Sequence, residues 1–144
     1  MFKYLCNYLL LILISLNLTV FCYAKTIKVS KTGAGDDVQT INEALALAGT
    51  GDIIKVGPGI FYENIIIEKS IFLYGSGPNF TTIDSKINNV NENVFLHAID
   101  LKASNVLITG FKIISNKNAV NISLGINNLI IQNCILKSSD YGIY

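Results

Sequence analysis

The chain has 144 residues, 51% of them hydrophobic, with eleven basic and ten acidic side chains and a formal net charge of +1. Such a balance gives no electrostatic case for a nucleic acid or an anionic lipid surface as partner. All eleven basic residues are lysine, so any chemistry that needs a guanidinium has no supplier here.

At the amino end, Lys3 precedes an apolar run from Tyr8 to Phe21, and Cys22-Tyr23-Ala24 places small residues where a signal peptidase reads. Residues 1–24 are therefore predicted to be an export leader cleaved after Ala24. The run is about 14 residues, short of the roughly 20 needed to span a bilayer, so no stable membrane span is expected after cleavage. A secreted or periplasmic destination follows. Cys6 and Cys22 leave with the leader, which makes Cys134 solitary and predicts a small apolar filler, not a disulfide partner. Residues 25–144 remain, a single-domain length with ten lysines facing ten acidic residues.

Asp36-Asp37 can cap a helix, and Val38, Ile41, Leu45 and Ala48 recur at helical spacing until Gly49. One short amphipathic helix is predicted over 38–48. From residue 53 onward the pattern changes to short β-rich runs divided by Gly, Asn, Pro and Ser: 53–56, 64–67, 71–74, 106–109 and 129–132.

A repeat organises these runs. The nine residues from Asn105 overlay the nine from Asn128 at an offset of 23, and a weaker copy begins at Ser70, 35 residues before Asn105. The polar stretch from Lys86 to Asn93 accommodates the extra length as a loop. A period near 23 without leucine-rich-repeat spacing predicts coils of a β-solenoid. Val106 and Ile108 would then stack beneath Leu129 and Ile131, Phe111 beneath Cys134, and Ile113 beneath Leu136. Gly110 and Asn133 share a turn position where positive φ is expected. Because a solenoid buries nothing until coils stack, its first coil needs a cover, which the 38–48 helix is placed to supply.

The stretch from Gly51 to Glu63, continuing from Ile71 to Asp84, resembles the opening of pectin-lyase-like β-helix proteins, and Thr40-Ile-Asn-Glu-Ala44 resembles their cap helix. The resemblance implies an all-β fold: a right-handed, single-stranded parallel β-helix with a short N-terminal capping α-helix. In that frame Gly57-Pro58-Gly59 turns the chain, the aromatic after it packs, and Glu63 stays at the rim. The Asn/Ser-rich coils ending in Tyr141-Gly-Ile-Tyr144 resemble copper-insertion (NosD-like) and carbohydrate-binding β-helix repeats. This branch implies an exported protein that binds or presents a polysaccharide or a partner on its parallel-sheet face.

A second branch is pectin methylesterase. Ala119-Val120, Asn133-Cys134 and Ser139-Asp140 resemble parts of its active-site strands, which makes Asp140 the one candidate catalytic residue, a general acid/base. Asn118 and Ser139 stand where that family has glutamines. Ester cleavage needs a second carboxylate and an oxyanion donor, and these would lie past Tyr144. Pectate lyase relatives imply calcium, through the resemblance alone, and a basic residue resembling arginine, which is absent. A third reading is the passenger of a surface adhesin.

His97, the single histidine, has no metal-ligand partners at a suitable spacing and reads as a rim residue. No cofactor or metal ligand set is visible. Gly33-Ala-Gly-Asp-Asp37 resembles one copy of a calcium-binding glycine-aspartate repeat and serves equally as a turn, and Gly75-Ser-Gly77 reads as a turn. Asn79-Phe-Thr81 and Asn121-Ile-Ser123 are glycosylation sequons. Asp84, Asp100 and Asp140 fall outside the 23-residue register, so no stacked acidic pair is expected. Because Ile143-Tyr144 enters a strand with nothing after it, the ending predicts a fragment with further coils to follow, and an uncapped coil edge open to self-association.

Overall fold

A computed structural model describes residues 23–33, 38–85 and 97–144. All but the last two residues of the leader, the Asp36-Asp37 cap, most of the 33–37 turn and the 86–93 loop lie outside the described residues.

The described residues fold as a parallel β-solenoid of about four turns with one short helix. Twelve short strands alternate with corners: β1 (Thr26–Val29), β2 (Ile53–Val56), β3 (Gly59–Phe61), β4 (Ile65–Ile67), β5 (Phe72–Gly75), β6 (Thr81–Asp84), β7 (Ile99–Leu101), β8 (Val106–Thr109), β9 (Lys112–Ile114), β10 (Val120–Ile122), β11 (Leu129–Gln132) and β12 (Ile135–Lys137). They form three parallel sheets, in the orders β1-β2-β5-β8-β11, β3-β6-β9-β12 and β4-β7-β10. A parallel neighbour cannot follow through a hairpin, so within each sheet every strand after the first is stacked on the strand one full coil earlier.

Alternation along each strand sends one residue inward per step, and the registers line these residues into columns. Ile27, Ile54, Leu73, Ile108 and Ile131 form one column of the first sheet. In the second sheet Phe61, Ile83, Ile113 and Leu136 superpose, and in the third Ile65, Ile99 and Val120. Apart from the last-coil members Ile131 and Leu136, these residues are buried. The offset of 23 holds between β8 and β11 and between β9 and β12, and the offset of 35 holds between β5 and β8. Both spacings agree with the repeat.

Gly110 has φ +81° and Asn133 φ +49°, in accord with the shared turn position. Glycine at 110 is needed for a second reason, since a Cβ there would lie 2.6 Å from the carbonyl oxygen of Gly75 on the coil below. Asn105 and Asn128 also adopt positive φ, 57° and 55°, and Asn128 Nδ2 donates to Asn105 Oδ1 across 2.8 Å. This asparagine step fixes the corner before β8 and β11.

The helix, α1, spans Ile41–Leu47, shorter than the predicted 38–48. Its N-cap is Thr40, whose hydroxyl accepts from Glu43 N while Glu43 accepts from Gln39 and Thr40 N–H groups. Val38 lies before the helix and bridges Val29 in parallel. The free N–H groups of Ile41 and Asn42 are met by Glu63, whose two carboxylate oxygens accept them at 3.0 and 2.9 Å. Glu63 is therefore buried at the foot of the helix and does not stay at the rim. A short helix in isolation does not hold itself together, so these long-range bonds are what fix it. At the other end Lys69 Nζ donates to Ala48 and Leu45 carbonyls and Lys25 Nζ to that of Leu47. Ile41 and Ala44 turn onto β1, β2 and β4, so the helix covers the first coil.

At the opposite end the inward residues Leu129, Ile131, Cys134 and Leu136 are only part-buried, whereas their counterparts Val106, Ile108, Phe111 and Ile113 are fully buried. The Cys134 thiol is pushed up by burial and packs at the top of the Phe111 column, as a filler.

Candidate binding cleft at the last corner

The corner before the third sheet builds a column of its own. Register places Glu63, His97, Asn118 and Tyr141 at one position on four successive coils. The backbone closes this column with bonds from Ala98 N to Asn118 O and from Ala119 N to Tyr141 O. Beside it, Asp140 stacks on Lys117, and Tyr144 stacks above Asn121, which donates to Asp100 Oδ1 at 2.8 Å.

On the upper coils these positions open into a cleft of about 480 Å³ lined by His97, Lys117, Asn118, Asn121, Asp140, Tyr141 and Tyr144. The rings of Tyr141 and Tyr144 stack with centroids 5.5 Å apart and planes inclined by 30°. Asp140 is exposed and its N–H reaches Lys117 O at 3.4 Å, while Asn118 is buried. The His97 carbonyl accepts from Asn64 Nδ2 at 2.8 Å. Its ring Nδ1 is buried and has no hydrogen-bond partner among the described residues. Chemically the cleft offers an aromatic wall, amide and carboxylate hydrogen-bonding groups and one lysine. A second, smaller groove of about 210 Å³ runs between α1 and the third sheet, where Lys69 is already committed to the helix end.

Asp140 and Asn118, singled out separately in the sequence, are thus brought together, with Ser139 adjacent in the chain. His97 joins them, although its sequence gave no sign of it. The signal that could have found it is the offset of 21 between β7 and β10, which a search for 23-residue spacing passes over. Register sets Asp84 against Ile114, Asp100 between Ile66 and Asn121, and Asp140 against Lys117, so these acidic residues do not stack on one another. Among the described residues no three His, Cys, Asp or Glu side chains gather as a metal-binding group. Of the two sequons, Asn79 is exposed on the turn before β6, and Asn121 lies inside the cleft with its amide donated to Asp100.

No family model matches the chain. It is 36% identical over 140 residues to a cell surface glycoprotein of Methanothermus fervidus, covering 92% of this chain and 21% of that protein. The chain thus spans about a fifth of that relative's length. Among the described residues no helix is long and apolar enough to cross a membrane.

Proposed function

We propose that this chain is an exported surface protein whose solenoid, residues 25–144 behind a cleaved leader of residues 1–24, binds a polysaccharide in the cleft at its last corner. The surface assignment draws support from the fold together with the likeness to a cell surface glycoprotein. The observation that carries the binding reading is the Tyr141–Tyr144 ring pair set against the row of Lys117, Asn118, Asn121 and Asp140. A sugar ring has an apolar face and a polar edge, and aromatic side chains with hydroxyl handles beside a few fixed polar groups match both. We place the solenoid nearest the pectin-lyase-like β-helices, on the Gly51–Glu63 opening and the Thr40–Ala44 cap.

Equilibrium binding to a panel of neutral and uronic acid polysaccharides tests this. Tyr141→Ala and Tyr144→Ala should each weaken binding at least tenfold without lowering the melting temperature by more than a few degrees. Full binding by the doubly substituted chain refutes the cleft. An ester-cleaving enzyme would need a second carboxylate, and Asp140 is the one that lines the cleft among the described residues. Methanol released from methylated pectin, and abolished by Asp140→Ala, would replace the binding reading with the enzymatic one.

A further inference from the structure

We infer that leader removal does more than release the chain: hydrolysis of the Ala24–Lys25 bond creates an amino terminus that is captured by Asp52 as an ion pair. The inference rests on the leader boundary proposed above.

Lys25 is the first residue held from several sides. Its N–H donates to Asp52 Oδ1 at 2.8 Å, its carbonyl accepts from Ile53 N at 2.9 Å, and its Nζ donates to the Leu47 carbonyl at 3.0 Å. Just before it, Tyr23 is 83% exposed and Ala24 is exposed as well. These backbone bonds to Asp52 and Ile53 thus begin at the residue that follows the bond a signal peptidase would cut.

In the cleavage, water adds across the amide. Ala24 departs with the new carboxylate, and the Lys25 nitrogen keeps its hydrogen and gains protons to become an ammonium. The nitrogen already sits in hydrogen-bond contact with Asp52, so the group gains a full charge without having to move. The acceptor is prepared for it. Asp52 is 7% exposed, its second oxygen takes Gly49 N at 2.7 Å, and its carboxyl is held below the ordinary range by the Gly49 and Lys25 N–H groups, against desolvation. The other charges that act on Asp52 are Lys25 itself and Lys69, and both lysine Nζ atoms are engaged by helix carbonyls. An amine paired with a carboxylate keeps its proton to higher pH than a free one. The added stability is thus complete below the ordinary amino-terminal value, about 7.7–8.0, and is lost as pH rises through the higher folded value.

The experiment compares the exported, processed chain with one carrying Gly-Ser inserted after Ala24, which keeps the Lys25 N–H but moves the charge two residues away. Sequencing of the processed native chain should begin at Lys25. Another first residue overturns the leader boundary itself, a failure separate from the one below. At pH 7 the native chain should melt about 4 °C above the inserted one, with the gap closing by about pH 10. Asp52→Asn made in both chains should erase the gap between them. Titration of the α-amine by NMR after isotopic methylation gives a reading that does not depend on any variant folding. A value above the ordinary range is expected. Equal melting at pH 7, a gap that ignores pH, or an ordinary amine value overturns the capture.

Discussion

Replacing Glu63 with alanine removes the acceptor for the first two N–H groups of α1. Both bonds run to a charged oxygen, at 3.0 and 2.9 Å, and the Ile41 end is fully buried. A hydrogen bond to a charged group contributes about 1.5–3 kcal/mol, and an orphaned buried donor costs a comparable amount. Asn42 is exposed, so water can replace its bond. The sum comes to about 3 kcal/mol, most of it from Ile41. For a domain of this size that corresponds to a drop of about 12 °C in melting temperature. Glu63→Gln keeps one oxygen but turns an amide NH₂ toward the second donor, so it should fall between the two. Urea unfolding followed by far-ultraviolet circular dichroism gives the free energy. Hydrogen exchange at the Ala44 and Ala48 amides shows whether the helix detaches before the coils open. If Glu63→Ala melts within about 2 °C of the native chain, the cap is held by its apolar face alone and the carboxylate clamp is wrong.

Asp52 gives a pH-dependent counterpart. Its folded value lies below the ordinary 3.8, so its contribution is present above that pH and is lost as pH falls through the folded value. Asp52→Asn should lower stability at pH 7 and flatten the acid limb of a melting-temperature profile. Gly110→Ala combines φ +81° with a 2.6 Å approach to Gly75 O and should cost more than about 2 kcal/mol in urea unfolding, well above the usual glycine-to-alanine effect. Cys134, raised by burial, should react with a thiol reagent at pH 7 several-fold more slowly than free cysteine, and equal rates would mean that the last coil is open. The part-buried row Leu129, Ile131, Leu136 should drive concentration-dependent association on sizing columns, relieved by Ile131→Lys.

The coil pattern was legible because each strand carries its own alternation and the offset of 23 repeats it. Val106 and Ile108 declare their inward direction locally, and so do Leu129 and Ile131. The helix start was less so. Asp36-Asp37 is a good cap by composition, but Thr40 has the matching acid three residues on, and Glu43 closes the box. Val38 has the right spacing for the helix face yet meets Val29 first. Glu63 and His97 were illegible for a shared reason. Each takes its role from a residue on another coil, at offsets of 21, 22 or 34, and those offsets vary with loop length. A fixed-period reading of the sequence cannot find partners at such changing separations.

The corner column of Glu63, His97, Asn118 and Tyr141 also has a metric consequence. Parallel strands stack about 4.8 Å apart whatever the length of the loops between them. Above Glu63, which is spent on the helix cap, the solenoid therefore acts as a ruler with one side chain per graduation: His97, Asn118 and Tyr141. An extended ligand lying along the axis in the cleft would meet these three side chains at a spacing that substitution cannot alter, and a polymer whose own repeat departs from it would fall out of step within a few units. Selectivity for a polymer would then reside partly in the pitch of the backbone and only partly in the residues displayed on it.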